Sequence, residues 1–364
     1  MGANGGRLQR LRAGMQAAGG KALLLVRHEA VEHRSVCWLT GFTGTSAFAL
    51  LTADAAILLT DGRYLVQAES ECEGWQVREH GRPLGPTLAQ AVSDLQVHSL
   101  CYEPAGLLVA TLQEVREAVP AVELREAPPL VEELRTTKDA EEVAAIERAC
   151  AIGDASLEVL LPQVRAGVSE RQLALQLELA MRERGAEGLA FPSIVAAGPN
   201  SARPHAHPTE RPLGAGELMV LDFGAAVDGY CGDMTRTVCV GTASADQRNL
   251  YQLVADIQRT AVAGVRAGVA AGELAGAARD AVEEAGFGDY PSHSLGHGIG
   301  LQIHEPPWLR VGNEARLQEG EVVTVEPGVY VPNLGGVRIE DAVLVTAEGS
   351  RSLTHAPREL LELG

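Results

Sequence analysis

The sequence predicts an α/β protein of two domains, a smaller one over residues 1–129 and a larger one over residues 130–364. At 364 residues the chain exceeds the size at which a single hydrophobic core keeps growing. Short apolar runs alternate with helical patterns in its first third, which is typical of helices packed on a sheet. A Pro-Pro pair at positions 128 and 129 marks the predicted boundary.

The N-terminal domain contains apolar runs at residues 23–26 and 56–59 that predict strands, and residues 86–95 predict a helix. Beyond the boundary, Asp139 is followed three residues later by Glu142, the spacing of a capping box. We therefore expect the larger domain to open with a helix capped by Asp139.

The C-terminal domain contains a trace of duplication. Residues 164–168 recur as residues 265–269, 101 positions later, and Leu173 and Gly185 have counterparts at the same offset. Each copy predicts a helix packed on a sheet. Alanine-rich helices also match by chance, so the residues alone leave both interpretations open.

A predicted hairpin contains the first two candidate metal ligands, Asp222 and Asp233. Its turn is centred on Asp228-Gly229, a strong hairpin dipeptide, which places Asp222 opposite Thr235. Asp233 lies two residues from Thr235 and faces the same side, within reach of one shared cluster. Asp222 also follows the apolar residues 218–221 and is expected to be buried, where a carboxylate needs a partner.

Three more candidate ligands follow. His297 lies in a glycine-rich segment that is unsuited to a helix and permits close approach of the backbone. Glu326 follows the apolar residues 322–325, and Glu340 lies between two apolar segments, so both are predicted at buried strand ends. Taken singly, such residues are more often ion-paired than metal ligands.

The five residues together form a donor set for two divalent ions. Four buried carboxylates repel one another and lose hydration unless cations compensate them. Oxygen-rich ligation with one imidazole and no thiolate favours Mn²⁺ over a structural zinc ion, with Co²⁺ or Zn²⁺ as alternatives.

Five segments that hold these ligands resemble the signature blocks of the pita-bread metallopeptidases of family M24. The segments are Leu221 to Gly224, Gly232 to Thr237, Gly296 to Gly300, Val325 to Gly328 and Arg338 to Asp341. The resemblance implies a pseudo-twofold pita-bread (creatinase/aminopeptidase) fold after the N-terminal α/β domain. It also implies that Asp222 ligates one ion and that His297 and Glu326 ligate the other. Asp233 and Glu340 would bridge both ions.

Three histidines also resemble the family pattern: His205 and His304 match histidines that contact substrate, and His293 resembles a feature of the proline-specific branch. The resemblance implies that His304 holds the scissile carbonyl, while His205 and His293 grip the substrate and pass a proton to the leaving proline nitrogen. Glu326 is also a candidate proton acceptor. Arg338, on the same predicted strand face as Glu340, is expected to orient a ligand carboxylate.

Residues 38–44 and 60–64 resemble the N-terminal domain of Xaa-Pro aminopeptidases and related proteins. In that family the domain helps to form dimers, so a homodimer is expected. The second block favours a Xaa-Pro aminopeptidase acting on Xaa-Pro peptides over the alternative, a Xaa-Pro dipeptidase (prolidase). A non-catalytic or creatinase-like relative is disfavoured, because such proteins have usually lost some of the acidic ligands.

Composition excludes several other classes of protein. The net charge of −18 disfavours nucleic acid and anionic membranes as partners. No apolar run approaches the roughly 18 residues that span a bilayer, and no export signal is visible. The six cysteines lack metal-binding spacing and are typical of thiols in a reducing compartment, so a cytoplasmic protein is expected.

Overall fold

The computed structural model describes residues 3–291 and 293–364 and divides into two compact units, Met1–Arg135 and Thr136–Gly364. The division falls at the last residue of the helix Leu130–Thr136, whereas the sequence places the boundary before this helix. Leu130 at the start of this helix packs against Gly14, which groups the helix with the N-terminal unit.

The N-terminal unit is a six-stranded mixed sheet with helices. Its elements are α1 (Ala3–Ala17), β1 (Ala22–Arg27), α2 (Ser35–Thr40), β2 (Ala47–Thr52), β3 (Ala56–Thr60), α3 (Leu65–Glu71), β4 (Gln76–Glu79), α4 (Gly85–Asp94), β5 (Ser99–Tyr102), α5 (Val109–Ala118), β6 (Glu123–Glu126) and α6 (Leu130–Thr136). The strand order is β4-β3-β2-β1-β5-β6. The two predicted strands and the predicted helix correspond to β1, β3 and α4. Leu24, Leu59 and Leu88 from these elements meet in one buried core.

The C-terminal unit contains four α-helices and fourteen strands among its described residues. Its elements are α7 (Ala140–Leu160), α8 (Glu170–Glu183), β7 (Gly188–Leu189), β8 (Ile194–Ala197), β9 (Glu217–Phe223), β10 (Ala225–Val227), β11 (Tyr230–Cys231), β12 (Met234–Val240), α9 (Ala245–Gly264), α10 (Ala271–Glu284), β13 (Gly296–Gly298), β14 (Glu305–Leu309), β15 (Val322–Val325), β16 (Gly328–Val331), β17 (Gly335–Arg338), β18 (Asp341–Val345), β19 (Ser350–Ser352) and β20 (Glu362–Leu363). Helix α7 begins with the predicted capping box of Asp139 and Glu142.

Two sheets form the centre of this unit, with strand orders β20-β12-β9-β8 and β14-β13-β15-β18-β19. Helices α7 and α8 bury Leu157, Leu173 and Leu177 against the first sheet. Helices α9 and α10 bury Ala261 and Ala275 against the second. Each sheet is therefore covered by a helix pair that precedes all of its strands in sequence.

The repeated segment has the same local structure in both copies. Gly167 and Gly268 both adopt left-handed backbone conformations, with φ of 90° and 86°. Their amides donate to Leu213 and Leu317 over 2.9 and 2.8 Å. Helices α8 and α10 then follow, each 14 residues long. This correspondence supports the duplication and the predicted pseudo-twofold fold.

Asp222 pairs with Thr235 in the β9–β12 register, as the hairpin dipeptide predicts. The predicted second strand, however, is interrupted at Gly232 and Asp233. A Cβ at Gly232 would lie 2.8 Å from the Ala149 carbonyl carbon, so helix α7 presses on the backbone at this point. The interruption leaves Asp233 immediately before β12.

No helix in the described ranges is long and apolar enough to cross a membrane. All six cysteines are free thiols.

Candidate metal centre

Equivalent strand ends in the two halves hold the four acidic candidates. Asp222 lies near the end of β9 and Glu326 directly follows β15. Asp233 directly precedes β12 and Glu340 directly precedes β18. His297 is the central residue of β13. The duplication thus places two carboxylates from each half at the meeting point of the two central sheets.

All eight predicted site residues line one cavity of about 570 Å³. They are His205, Asp222, Asp233, His293, His297, His304, Glu326 and Glu340. Apolar side chains, including Phe191, Ile194 and Trp308, cover other parts of its wall. The cavity therefore combines a charged floor with an apolar surface for a substrate.

Three of the candidate ligands converge closely. Asp233, His297 and Glu340 each offer one ligand atom, and these atoms all lie within 4.8 Å of one another. The His297 Nε2 atom is also 3.4 Å from Glu326 Oε1. Asp222 lies in the same cavity, but its carboxylate contacts the Arg338 guanidinium. The three converging residues therefore come from both halves of the C-terminal unit.

Asp233, Glu326 and Glu340 hold protons more tightly than is usual for carboxyl groups. Burial and the neighbouring Glu340 raise the pKa of Asp233, and burial and Glu326 raise the pKa of Glu340. Burial, opposed by Arg338 but supported by Asp222, raises the pKa of Glu326 to about 8. Cations beside these groups would remove the repulsion.

His297 is prepared to act as a neutral ligand. Burial, followed by the nearby His304, lowers its pKa to about 3. Its Nδ1 atom donates to the Gly298 carbonyl oxygen over 3.1 Å, which directs the Nε2 lone pair toward the carboxylates. The clustered carboxylates and this imidazole fit divalent cations.

Thr235 and Arg338 hold the carboxylates in place. The Thr235 hydroxyl donates to Glu340 Oε2 over 2.6 Å and accepts from Arg338 Nε over 3.1 Å. Arg338 is only 3% exposed and pairs with Asp222. Burial disfavours its charge, but Asp222, Tyr330 and the other acids outweigh burial and raise the pKa of Arg338. The candidate ligand that this arginine contacts is therefore Asp222.

Tyr330 connects this arginine to His293. Arg338 Nη1 donates to the Tyr330 hydroxyl over 2.5 Å, and that hydroxyl is 2.9 Å from His293 Nε2. His293 Nδ1 lies 2.8 Å from the Ser294 carbonyl oxygen, so Nε2 accepts from Tyr330 when His293 is neutral. Burial and then Arg338 lower the pKa of His293 to about 4. Sequence reasoning missed Tyr330, whose only signal is its place in a short strand after Glu326.

The other two histidines lie on the cavity wall. The His304 ring packs edge-on against His297, with centroids 4.4 Å apart, and burial lowers the pKa of His304. The His205 side chain is exposed and makes no hydrogen bond to any residue that the structure describes. Both imidazoles therefore remain available to a bound substrate.

Comparison with known proteins is consistent with this geometry. The chain matches metallopeptidase family M24 over residues 144–347 and the creatinase/prolidase N-terminal domain over residues 7–137. The Xaa-Pro dipeptidase of Pyrococcus furiosus is 41% identical over 255 residues, which are 70% of this chain and 73% of the relative.

Two solved structures are similar over nearly their whole length. The Xaa-Pro dipeptidase from Bacillus anthracis is 37% identical with a TM-score of 0.94, covering 99% of this chain and 100% of that chain. The X-Pro aminopeptidase from Thermotoga maritima is 34% identical with a TM-score of 0.91, covering 98% and 99% respectively. These similarities confirm the predicted family and fold. The chain belongs to metallopeptidase family M24 and has the creatinase/prolidase N-terminal domain.

Proposed function

We propose that the protein is a Xaa-Pro dipeptidase (prolidase), which hydrolyses the peptide bond before the proline of a dipeptide. The observation that carries this proposal is the cavity in which all five candidate ligands and three histidines meet. The sequence alone favours a Xaa-Pro aminopeptidase. The relatives named Xaa-Pro dipeptidase support the alternative better, including one that is 41% identical.

Asp222, Asp233, His297, Glu326 and Glu340 would hold two divalent ions, with Mn²⁺ as the proposed metal. Such ions lower the pKa of a shared water and polarise the scissile carbonyl. Arg338 contacts Asp222 and Thr235 contacts Glu340, so these two residues would keep the carboxylates oriented.

The remaining side chains supply proton transfer and orientation. Glu326 has carboxylate oxygens 3.4 Å from His297 Nε2 and 3.6 Å from His293 Nδ1, a central position for a proton acceptor. His304 would donate to the substrate carbonyl oxygen as negative charge develops there, a contribution commonly worth about 3 kcal/mol. His205 and His293 would grip the substrate and help to pass the proton that Glu326 accepts from water to the leaving proline nitrogen.

Rates on substrates of two lengths test the proposal. Initial rates are measured on a Xaa-Pro dipeptide and on the matching Xaa-Pro-Yaa tripeptide, with added Mn²⁺. We expect turnover of the dipeptide and little turnover of the tripeptide. A dipeptide without proline serves as the control for specificity. Equal or faster release of Xaa from the tripeptide would instead assign the aminopeptidase activity.

The aminopeptidase is the second candidate because the Thermotoga maritima structure, named X-Pro aminopeptidase, is 34% identical over nearly the whole chain. Failure to hydrolyse either peptide with Mn²⁺, Co²⁺ or Zn²⁺ present would count against both candidates. Metal analysis of protein purified without chelator would then test whether the centre binds divalent ions at all.

The homodimer expected from the family resemblance is also part of the proposal. Analytical ultracentrifugation at micromolar concentration measures it directly. A single species at the monomer mass of 38.3 kDa would contradict it.

A further inference from the structure

His205 lies in a long loop between β8 and β9. We define the His205 loop as residues 198–209. Since the His205 side chain makes no hydrogen bond to any described residue, its position depends on the backbone of this loop. A loop without anchors samples many conformations. A substrate-binding side chain on such a loop is therefore in its binding position only part of the time.

Glu170 closes the His205 loop at both ends. Its Oε1 atom accepts from the Ala197 amide over 2.8 Å, just before the loop. Its Oε2 atom accepts from the Thr209 amide over 2.9 Å and from the Thr209 hydroxyl over 2.7 Å. The same oxygen accepts from Asn200 Nδ2 over 2.9 Å. All four partner groups are hydrogen-bond donors. They are satisfied together only if both carboxylate oxygens of Glu170 accept hydrogen bonds.

The Glu170 side chain is fully buried, with 0% exposure, although it is the first residue of a helix. A buried carboxylate is costly unless hydrogen bonds replace its hydration. Here three hydrogen bonds come from the His205 loop and one from Ala197 just before it, so loop order and burial of Glu170 depend on each other.

The tip of the loop has two more anchors near the cavity. The Ser201 hydroxyl accepts from the Gly336 amide over 3.0 Å, and Arg338 Nη1 donates to the Pro204 carbonyl oxygen over 3.2 Å. Pro204 directly precedes His205. Glu170 at the base and Arg338 at the tip therefore fix the backbone on both sides of the histidine.

The duplicated half shows that the helix itself does not need this carboxylate. Ala271 occupies the position in α10 that Glu170 occupies in α8. In both halves the first two backbone amides of the helix donate to carbonyl oxygens of a loop. In α8 the Glu170 amide donates to Arg211 and the Arg171 amide to Thr209. In α10 the Ala271 amide donates to Ala315 and the Gly272 amide to Asn313. The second loop therefore docks through backbone bonds and the Arg316 side chain, which donates to the Gly268 carbonyl oxygen, without a helix carboxylate. None of residues 310–316 lines the cavity. Glu170 therefore belongs to the half in which the docked loop contains a histidine of the cavity, His205.

We propose that Glu170 is a positioning residue, whose buried carboxylate fixes the His205 loop so that His205 faces the substrate cavity. This inference rests on the proposed function only in taking His205 as a group that contacts the substrate.

The test uses two variants that keep side-chain shape. Glu170→Gln places an amide N–H group against donors, and Thr209→Val removes the hydroxyl that donates to Oε2. We expect both to lower kcat/KM for a Xaa-Pro dipeptide by about tenfold to a hundredfold. If His205→Ala changes mainly kcat, these two variants should also change mainly kcat, and the same holds for KM. The Kd for Mn²⁺ should stay unchanged.

The double variant Glu170→Gln/His205→Ala separates positioning from general destabilisation. If Glu170 acts through His205, the double variant should be no slower than His205→Ala. Hydrogen exchange followed by mass spectrometry gives a readout that needs no substrate. Glu170→Gln should raise exchange within residues 198–209 above that of the wild type.

Asp154→Asn is the matched control. Asp154 is also a helix carboxylate that holds a loop, since it accepts from the amides of His355 and Ala356 over 2.9 and 2.8 Å. Neither of these residues lines the cavity. This variant should lower the Tm while leaving kcat/KM unchanged.

Unchanged exchange in residues 198–209 of Glu170→Gln would overturn the inference, whatever the substrate proves to be. Losses of Glu170→Gln and His205→Ala that multiply in the double variant would overturn it too. Absence of turnover of every Xaa-Pro peptide by the wild-type protein would instead count against the proposed function, and the exchange experiment would still decide the role of Glu170.

Discussion

Two hydrogen bonds between Thr235 and Glu340 link the two halves of the C-terminal unit. The Thr235 hydroxyl donates to Glu340 Oε2 over 2.6 Å, and the Glu340 amide donates to the Thr235 carbonyl oxygen over 3.1 Å. Thr235 lies on β12, and Glu340 precedes β18. The hairpin of the first half thereby sets the position of a carboxylate from the second.

Thr235→Val tests this relationship, because it removes the hydroxyl and keeps the side-chain shape. Glu340 then loses its hydrogen-bond donor, and Arg338 Nε loses its acceptor. We expect the affinity for Mn²⁺ to fall by about tenfold to a hundredfold, measured by isothermal titration calorimetry.

Thr237→Val is the control for that experiment. Thr237 is two residues further along β12 and equally buried, but its hydroxyl bonds only to the backbone of Arg338. It should lower the Tm with a smaller effect on metal affinity. Equal losses of affinity in both variants would show that strand stability, and not the contact with Glu340, controls binding.

The proposed bridging ligands and the proposed substrate histidine are expected to differ in metal content. Asp233→Asn or Glu340→Gln should abolish activity, since each would remove a negative charge that is proposed to hold both ions. His293→Ala should lower turnover and leave metal content near that of the wild type, as measured by elemental analysis. Equal loss of metal from all three variants would refute this division of roles.

Local signals explain why much of the site was predictable. The Asp228-Gly229 turn fixes the register that pairs Asp222 with Thr235, and an apolar run before Asp222 indicates its burial. Glu326 and Glu340 can likewise be recognised in the sequence, because each lies at the end of an apolar segment that predicts a strand. Their ligand roles nevertheless came from the family resemblance, since local patterns do not show which strand ends meet.

Glu170 and Tyr330 were not predicted, because their functions depend on partners distant in sequence. Glu170 resembles an ordinary acidic residue in the first turn of a helix, where the helix dipole favours it. Its partners lie 27 to 39 residues away. The interruption at Gly232 has a similar origin, because it follows from close packing against α7, a contact that hairpin patterns do not encode.

A buried ion pair beside His304 gives a prediction about stability. Lys138 Nζ lies 3.0 Å from Glu305 Oε1, with side chains only 1% and 5% exposed. Lys138→Met leaves the Glu305 carboxylate buried without this ammonium group, which should cost about 3–5 kcal/mol. A fall in the Tm measures the effect.

The double variant Lys138→Met/Glu305→Gln should recover much of that Tm, because no uncompensated charge remains. A single variant as stable as the wild type would show that the pair contributes little. A double variant less stable than the single one would show that Glu305 is held mainly by its other contacts.

Three buried carboxylates of the centre should make the metal-free protein less stable as pH rises, whereas the lowered pKa values of His293 and His297 act in the opposite direction below about pH 6.5. Burial raises the pKa values of Asp233 and Glu340 above their ordinary values, and that of Glu326 to about 8. Above about pH 4.5 the folded state therefore binds more protons than the unfolded state at these groups, so raising the pH favours unfolding until they have ionised.

Divalent ions replace these protons, and protons compete with them less as pH rises. The increase in Tm on adding Mn²⁺ should consequently be larger at about pH 8 than at about pH 5.5. Differential scanning fluorimetry with and without Mn²⁺ measures both values, and Glu340→Gln should show a reduced difference between them. An increase that is independent of pH would mean that the carboxylates are already ionised in the metal-free protein.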